Sequence, residues 1–352
     1  MSQSLGTYRA AVFDAEGRVR IVEVPRRPLT PVEARVQVQL AGICGTDLAL
    51  RRRHLPTRIP PTFGHEFVGR VIEVGHPSHD RWLDQQVGAD INLACTDRPW
   101  QTYCDECRSE DRHHCPRRTV LGIDVTDGAF AEELIVPVQN LIEIPASVDP
   151  RRAVFTEPLA AALHAFTASP IGPEQTVLVL GAGRLGALIG RVAELQGARV
   201  ISVTQSDRRH ERLKNFGLTN VLSRRDSDID ACVRDATRSI GADVVVEVTG
   251  QPQGIVDALR WVRPRGRVVL KSTCGLPASG FDQTAVVVQE IQLIGSRCGD
   301  YHAAVEWLDS GRIEPERLIE ASYPLDAINT ALDAAQSHLK VLVELHPTAR
   351  LA

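Results

Sequence analysis

Residues 177–186 read Val-Leu-Val-Leu-Gly-Ala-Gly-Arg-Leu-Gly, an apolar run that leads into a glycine-rich turn. Gly181, Gly183 and Gly186 have the spacing G-x-G-x-x-G, and residues 185–195 continue with the apolar periodicity of a helix. Glycines at these positions permit a tight turn and a close approach of the backbone to a ligand, and the N-terminus of the following helix binds a pyrophosphate. The stretch predicts a strand, a turn and a helix that together bind a dinucleotide. The alternative is a glycine-rich turn without a ligand.

The alternation of strands and helices continues after this turn. Apolar strands are predicted at residues 200–203, 244–248, 268–270 and 291–294, and helices are predicted at 208–216 and 255–262. Buried apolar strands that alternate with helices are typical of a parallel sheet. The sequence therefore predicts an α/β protein with a Rossmann domain, a doubly wound parallel sheet, over residues 154–295.

The flanking residues have a different pattern. Short β-type runs broken by Gly, Pro and Asp occupy residues 35–40, 67–74 and 130–136, which indicates a mostly β unit over residues 1–153. The tail has an amphipathic helical segment at 301–310 and a strand at 340–345. We expect this strand to pair with the first unit, so that residues 1–153 and 296–352 form one discontinuous domain.

Composition excludes several classes of protein. The 352 residues are 43% hydrophobic and 24% charged, with a net charge of −4, which suits two folded domains and opposes a general nucleic-acid or anionic-membrane binder. The first residues lack a basic segment followed by an apolar run, and no apolar stretch is long enough to span a bilayer. We therefore expect a cytoplasmic protein.

The end of the second predicted strand bears on the choice of dinucleotide. An acidic residue is expected there to bind the ribose 2′-hydroxyl of NAD(H), but the strand ends in Thr204 and Asp207 comes three residues later. Arg208 and Arg209 follow and would pair with a 2′-phosphate, although solvated side chains are the alternative. The interpretation favours NADP(H) over NAD(H). The other candidate cofactor contacts lie in the turn or after later strands, namely Arg184, Leu185, Thr249, Ser272 and Arg297.

Two short patches in the first domain carry metal-ligand chemistry. Residues 42–47 read Gly-Ile-Cys-Gly-Thr-Asp and residues 64–66 read Gly-His-Glu. Cys44, His65 and Glu66 are ligand types of an open, catalytic zinc site. Adjacent extended residues point to opposite sides, so His65 and Glu66 both reach one metal only if the backbone bends, which Gly64 would permit.

These motifs, followed in order by a cysteine-rich segment, Glu157-Pro158, G-x-G-x-x-G and the C-terminal strand, resemble those of the zinc-dependent medium-chain dehydrogenase/reductase family, which includes alcohol, sorbitol and threonine dehydrogenases. The resemblance implies a chaperonin-10-like catalytic domain beside the Rossmann domain. It implies that Cys44 and His65 bind the catalytic zinc, with Glu66 and Glu157 as candidates for the remaining ligands. Asp47 would orient His65, and Thr46 would relay the substrate proton.

The cysteine-rich segment predicts a second, structural zinc. Cys104, Cys107 and Cys115 match the last three positions of the family pattern C-x2-C-x2-C-x7-C, but Gln101 stands at the first position. Cys95 lies six residues earlier, so we infer an insertion at residues 96–101 and a four-cysteine site in a lobe of about residues 91–118. His113 or His114 as the fourth ligand, or a lobe without metal, are the alternatives.

The resemblance implies a zinc-dependent enzyme that transfers hydride between a nicotinamide cofactor and a secondary alcohol or polyol, or the matching carbonyl. A metal-free NADPH-dependent reductase on the same fold and a non-catalytic NAD(P)H-binding sensor are the alternatives. The run of arginines at 51–53 indicates either an anionic substrate or a solvated face. A homodimer or homotetramer is expected from the resemblance.

Overall fold

The protein is represented by a computed structural model that describes residues 6–14, 18–55, 57–58, 60–97, 103–205, 207–224, 228–273 and 275–346. Gln101 and residues 98–100 of the inferred insertion lie outside the described residues. No helix in the described ranges is both long enough and apolar enough to cross a membrane.

Seventeen strands occur in the described part of the chain. In chain order they are β1 (Thr7–Phe13), β2 (Val19–Pro25), β3 (Glu33–Gly42), β4 (Glu66–Val74), β5 (Gln86–Ala89), β6 (Asn92–Leu93), β7 (Thr119–Val120), β8 (Glu133–Pro137), β9 (Leu141–Glu143), β10 (Thr176–Leu180), β11 (Arg199–Thr204), β12 (Val221–Ser223), β13 (Ala242–Glu247), β14 (Val262–Leu270), β15 (Gln292–Gly295), β16 (Ile319–Pro324) and β17 (Lys340–Glu344).

The α-helices of the same ranges are α1 (Gly45–Arg51), α2 (Asp105–Arg108), α3 (Pro150–Ala153), α4 (Thr156–Ala168), α5 (Arg184–Leu195), α6 (Asp207–Asn215), α7 (Ile229–Ala236), α8 (Gln253–Trp261), α9 (Gln283–Val288), α10 (Tyr301–Asp309) and α11 (Ile328–Ala334). Short 3-10 turns occupy Pro77–Trp82, Cys95–Asp97, Arg112–His114, Val138–Asn140, Pro315–Leu318 and Leu325–Ala327.

The chain divides into two compact units. The first comprises Met1–Glu157, Tyr301–Arg312 and Ile319–Ala352, and the second comprises Pro158–Asp300 and Ile313–Leu318. The domain limits predicted from sequence, after residues 153 and 295, lie a few residues earlier and stay a prediction.

The second unit contains a six-stranded sheet in the order β12-β11-β10-β13-β14-β15, and every neighbouring pair is parallel. The strand order reverses between β10 and β13, which is the doubly wound arrangement that the sequence predicted. Central strand β10 is buried along its whole length, because helices cover both faces of such a sheet. Ligands bind at the carboxyl ends of the strands beside this reversal, and the turn that begins at Gly181 follows β10 there.

The first unit is mostly β. Its seven-stranded sheet has the order β16-β17-β3-β4-β5-β9, with β8 also paired to β3. Strand β17 is antiparallel to β3, with Leu342 opposite Gly42, so the predicted return of the C-terminal strand to the first domain is confirmed. The run predicted as a strand at residues 130–136 forms a strand only from Glu133, and before it Ala131 makes an isolated β-bridge with Ala10.

An aromatic cluster in this unit supports the start of β4. The ring centroids of Phe13 and Phe63 lie 4.4 Å apart, and those of Phe63 and Phe130 lie 4.9 Å apart. Phe63 and Phe130 are fully buried. Rings packed in this way are held more tightly than their buried area alone would give, and they fix the backbone immediately before His65.

Candidate functional site

Cys44, His65 and Glu66 are brought together at one end of β3 and β4. Cys44 follows the end of β3, and Glu66 begins β4 opposite Gly42. One ligand atom from each of the three side chains lies within 4.8 Å of the other two. His65 and Glu66 are buried. A thiolate, an imidazole and a carboxylate in this arrangement fit a zinc ion, for which these are the usual protein donors.

The backbone bend that this grouping requires occurs at Gly64. Gly64 has φ +94°, a conformation that residues with a side chain rarely adopt. A Cβ at this position would lie 2.8 Å from the Phe130 ring. Both the conformation and the space therefore require glycine, and the bend lets the adjacent His65 and Glu66 approach one point.

Asp47 contacts two of the metal-ligand candidates, Cys44 and His65. It is fully buried, one carboxylate oxygen accepts a hydrogen bond from the Cys44 backbone N–H at 2.7 Å, and the other lies 3.5 Å from His65 Nδ1. Burial opposes the protonated imidazole, but the charges of Asp47 and Cys44 raise the pKa of His65 well above its ordinary value. Burial likewise opposes the thiolate, yet His65 lowers the pKa of Cys44.

Thr46 and Glu157 have looser relations to this cluster. The Thr46 hydroxyl oxygen lies 3.8 Å from Cys44 Sγ. Glu157 is near enough for its charge to oppose ionisation of Cys44, but among the described residues its carboxylate is outside the group of atoms within 4.8 Å of one another. The structure thus brings Glu66, rather than Glu157, into the immediate cluster.

Lys340 is a member of this site that sequence reasoning missed. Its ammonium donates a hydrogen bond to Glu66 Oε2, its side chain is only 2% exposed, and its Nζ lies 5.1 Å from the Phe155 ring centroid. Burial lowers the pKa of Lys340 to about 8, against the charges of Cys44 and Asp47. The sequence contained one signal that could have pointed to Lys340, which is that lysine is rare in this chain.

The chain has only three lysines, and two of them are buried. Lys214 is exposed on α6, whereas Lys271 and Lys340 are buried. Surface cations elsewhere are arginines. A lysine in such a chain is therefore more informative than usual, because buried lysines are rare unless they are paired.

The cysteine lobe has the geometry of a metal site. Sγ of Cys104 lies 3.7 Å from Sγ of both Cys95 and Cys115, and the sulfurs of all four predicted cysteines lie within 4.8 Å of one another. A disulfide would require about 2.05 Å, whereas four thiolates placed tetrahedrally at about 2.3 Å from zinc lie about 3.8 Å apart. The four cysteines therefore fit a zinc ion.

The two histidines considered as alternative ligands have other partners. His113 Nε2 lies 3.0 Å from an Asp90 carboxylate oxygen. His114 is exposed, and its Nδ1 lies 2.7 Å from Asp111. The geometry favours Cys95, which is buried with Cys107 and Cys115, as the fourth member of the cluster.

The glycine-rich turn of the second unit connects β10 to α5. Gly181 has φ +103°, and its N–H and that of Ala182 both donate hydrogen bonds to the Val203 carbonyl of β11. A Cβ on Gly186 would lie 2.1 Å from the Gly181 carbonyl oxygen. Arg184 begins α5 and Leu185 follows it. The turn therefore places the N-terminus of α5 at the carboxyl edge of the sheet, where a pyrophosphate would bind.

The side chains near the end of β11 lie either toward the glycine-rich turn or toward strand β12. Thr204 ends β11 and is buried. The Asp207 carboxylate accepts a hydrogen bond from the Ser223 hydroxyl of β12. Arg209 Nη1 lies 4.0 Å from the point that a Cβ on Gly183 would occupy, whereas Arg208 is exposed. Arg209 thus reaches the glycine-rich turn, and Asp207 is directed toward β12.

Three further residues singled out from the sequence lie in loops after β13, β14 and β15. The Thr249 and Ser272 hydroxyls both donate hydrogen bonds to Glu247, a buried carboxylate that sequence reasoning missed. Lys271 Nζ donates to the Ser296 hydroxyl at 3.2 Å and to the Arg297 carbonyl. Arg297 itself is exposed.

The arginine run after α1 is partly engaged by α11 and the turn after it. Arg51 forms an ion pair with Asp333 at 2.7 Å, and Arg52 donates a hydrogen bond to Gln336 at 3.0 Å. Two of the arginines therefore have protein partners, which supports the structural role of this run more than an anion-binding role.

Comparison with known families agrees with this architecture. Residues 30–146 match the alcohol dehydrogenase GroES-like domain, and residues 185–310 match the zinc-binding dehydrogenase model. GroES is the chaperonin-10 fold, so the predicted chaperonin-10-like domain is confirmed. A GroES-like domain joined to a Rossmann domain that carries a dinucleotide-binding turn defines a nicotinamide-dependent, hydride-transferring oxidoreductase.

Individual relatives place the chain more closely. It is 31% identical over 322 residues to a 2-dehydro-3-deoxy-L-galactonate 5-dehydrogenase of Pseudoalteromonas atlantica, which covers 89% of this chain and 91% of the relative. The chain belongs to the zinc-type medium-chain dehydrogenase/reductase family.

Solved structures of similar proteins contain either form of the cofactor. A zinc-binding dehydrogenase of Sinorhizobium meliloti bound to NADP has a TM-score of 0.85 and 29% identity, covering 96% of this chain and 99% of the other. An alcohol dehydrogenase of Escherichia coli CFT073 complexed with NADH has a TM-score of 0.86 and 26% identity, covering 97% and 100%. The relatives thus indicate a nicotinamide cofactor but do not decide between NADP(H) and NAD(H).

Proposed function

We propose that this enzyme oxidises a secondary alcohol of a polyol or sugar acid, or reduces the matching carbonyl, with NADP(H) and a zinc ion bound at Cys44 and His65. The observation that carries the proposal is the cluster of thiolate, imidazole and carboxylate atoms within 4.8 Å of one another. The 31% identical relative, named for the oxidation of a sugar acid at carbon 5, supports the substrate class. The proposal includes both sugar acids and neutral polyols. Arg51 and Arg52 already have protein partners, so these two arginines give no reason to require an anionic group on the substrate.

Each residue of the cluster has a separate task in this proposal. Cys44 and His65 would hold the zinc, and Glu66 and Glu157 are the candidates that complete its ligands. Zinc bound there would supply Lewis-acid polarisation of the substrate oxygen. Asp47, which is buried against both Cys44 and His65, would keep the imidazole in the orientation that ligation needs.

Proton transfer and ligand exchange fall to two other side chains. The Thr46 hydroxyl, next to Cys44, would accept the proton of the substrate hydroxyl and pass it on to solvent. Lys340 donates a hydrogen bond to the Glu66 carboxylate, so Glu66 would have two cationic partners, the lysine and the metal, once zinc is bound. We propose that Glu66 exchanges between the two.

The lobe would carry a second zinc with no part in the chemistry. Cys95, Cys104, Cys107 and Cys115 would supply four thiolates, whose sulfur atoms lie within 4.8 Å of one another, and four thiolates are the ligand set of a closed structural site. Because these thiolates must remain reduced, we also propose that the protein works in the cytoplasm.

The preference for NADP(H) rests on Arg209 and Asp207. Arg209 reaches the glycine-rich turn, and the Asp207 carboxylate is already bonded to Ser223, so a cation rather than an anion would meet the adenosine ribose. Arg209→Ala should raise KM for NADPH about 10-fold or more, since a hydrogen bond to a charged group contributes about 1.5–3 kcal/mol, and leave KM for NADH unchanged. Arg234→Ala, at an exposed position on α7, is the control. Equal changes for both cofactors would contradict the assignment.

A homodimer or homotetramer is proposed through the edge of the parallel sheet. In the described sheet β15 pairs with β14 on one side alone, and exposed Leu293 lies on it. Val287 and Val288 of neighbouring α9 are also 66% and 75% exposed. An uncovered apolar edge favours pairing with a second copy. Light scattering on wild type and Val288→Lys tests this: a smaller assembly in the variant is expected, and an unchanged mass would oppose this surface.

Metal content per chain tests the central proposal. Plasma mass spectrometry on wild type should find two zincs, and Cys44→Ala should retain one and lose turnover of polyols and sugar acids. Cys232→Ala, a cysteine outside both clusters, is the matched control and should retain two zincs and activity. One zinc in both wild type and Cys44→Ala would refute the catalytic zinc site.

A further inference from the structure

A buried glutamate lies at the centre of the loops that border the dinucleotide-binding turn. Glu247 ends β13 and is 4% exposed. Its Oε1 accepts hydrogen bonds from the Thr249 N–H at 2.8 Å and the Thr249 hydroxyl at 2.6 Å, and its Oε2 accepts from the Ser272 hydroxyl. In the described part of the chain, no lysine or arginine forms an ion pair with it. The carboxylate therefore has hydrogen-bond donors rather than a counter-ion.

This arrangement joins two loops through one side chain. Thr249 lies in the loop after β13 and Ser272 in the loop after β14. A buried carboxylate without a counter-ion is costly unless its oxygens are well supplied with donors, and each oxygen of Glu247 serves a different loop. A neutral apolar residue would avoid that cost, but it would leave both hydroxyls and the Thr249 N–H without this acceptor.

The loop that Glu247 holds packs directly on the glycine-rich turn. A Cβ on Gly181 would lie 2.7 Å from the Val248 carbonyl oxygen and 2.8 Å from the Thr249 Cα. The backbone at Val248 and Thr249 thus packs against Gly181, and we call this contact the wall behind Gly181. A shift of that loop by a few tenths of an ångström would reach the turn, because the two backbones have no spare space between them.

The neighbouring helix has space for the carboxylate only because residue 254 is glycine. A Cβ at Gly254 would lie 2.2 Å from Glu247 Oε1 and 2.6 Å from the Thr249 hydroxyl oxygen. The first turn of α8, the strand end and the loop are therefore built closely around this one carboxylate.

We propose that Glu247 is a positioning residue for the nicotinamide dinucleotide: its carboxylate fixes the loops after β13 and β14 and so sets the wall behind Gly181. A hydroxyl has a single proton to donate, and those of Thr249 and Ser272 are directed to Glu247. These two side chains therefore act on the cofactor as acceptors or through their backbone. The inference rests on the use of a nicotinamide cofactor and is independent of the 2′-phosphate.

The test compares dinucleotide binding in Glu247→Ala and Glu247→Gln. Fluorescence titration with NADPH and with NADH gives Kd for the metal-loaded enzyme, at a temperature where circular dichroism shows each variant folded. Glu247→Ala should raise both Kd values about 10-fold, which is about 1.4 kcal/mol. Glu247→Gln should remain within about threefold of wild type, because an amide oxygen still accepts from Thr249 while its NH₂ donates to the Ser272 oxygen. Glu290→Ala, at an exposed glutamate of the same unit, is the control.

Two further readouts separate positioning from general stability. In steady-state kinetics Glu247→Ala should raise KM for the cofactor and leave KM for the alcohol unchanged. If Glu247→Ala does not fold, Thr249→Val replaces it, since this change removes one donor at nearly constant shape, and its Kd should rise about threefold.

An unchanged Kd in the folded variant, or a Glu247→Gln variant as weak as Glu247→Ala, would overturn the proposal. Wild-type protein that binds neither dinucleotide would overturn the assigned cofactor as well, so the wild-type Kd and the variant-to-wild-type ratio report the two claims separately.

Discussion

Replacing Lys340 with methionine removes the ammonium from Glu66 at nearly constant side-chain length. In the metal-free protein this change would leave a carboxylate buried without its cation, since both side chains are almost inaccessible. Removing one partner of a buried ion pair costs about 3–5 kcal/mol. For a unit of roughly 200 residues, each kcal/mol lowers Tm by about 2–4 °C. We expect Lys340→Met to lower the Tm of the metal-free protein by about 10 °C.

The assay is thermal unfolding at pH 7 after treatment with a chelator. Lys214→Met, at the exposed lysine of α6, is the matched control and should leave Tm unchanged. The double variant Lys340→Met with Glu66→Gln should recover most of the loss, because residue 66 then carries no charge that needs a cation. Zinc should also reduce the difference between Lys340→Met and wild type, since the metal gives Glu66 another cation. A metal-free Lys340→Met protein as stable as wild type, or a double variant with no recovery, would refute this reasoning.

Three other changes test separate parts of the structure. Cys95→Ser should remove one zinc per chain by plasma mass spectrometry and lower Tm, while the zinc at Cys44 is retained; two zincs would exclude Cys95 as a ligand. Gly64→Ala should clash with the Phe130 ring, displace His65 and reduce metal at the Cys44 site alone, whereas an unchanged zinc content would show that the bend is dispensable. Burial opposes ionisation of Glu132, but hydrogen bonds from Arg9 and its charge lower the pKa of this carboxyl below its ordinary 4.5. The Arg9–Glu132 pair therefore stabilises the fold above pH 4.5 and ceases to do so as the carboxylate is protonated. Glu132→Gln should therefore lower the free energy of unfolding at pH 7 by less than about 1 kcal/mol, read as a slightly lower Tm. The difference should shrink as the pH falls below 4.5; a constant difference would contradict the ionic contribution.

The sequence predicts those features that depend on local patterns. Strands such as β10 are apolar along their length because both faces of a parallel sheet are covered, and the turn at Gly181 has a fixed glycine spacing. The grouping of Cys44, His65 and Glu66 was found because the ligand types recur in a known order. Strand β12 has only three residues, which is too short for a periodic pattern, and it was missed.

Buried charged side chains were missed for a different reason. Lys340 meets Glu66 across 274 positions of the chain, and nothing in the residues around either one indicates the other. Glu247 is the last residue of a mostly apolar strand, and the residues around it do not indicate whether its carboxylate is buried or faces solvent. Burial of a charge depends on what the rest of the fold places over it, so a single sequence contains no local signal of it.

The distribution of lysine has a practical consequence for work on this enzyme. Lys214 presents the one exposed side-chain amine among the three lysines, whereas Lys271 is buried in the second unit and Lys340 in the first. Amine-reactive reagents should therefore modify one lysine in the native protein and allow attachment to a dye or a solid support at a single side chain. During denaturation, labelling of Lys271 or Lys340, read by peptide mass spectrometry, would show which unit opens first without any engineered probe.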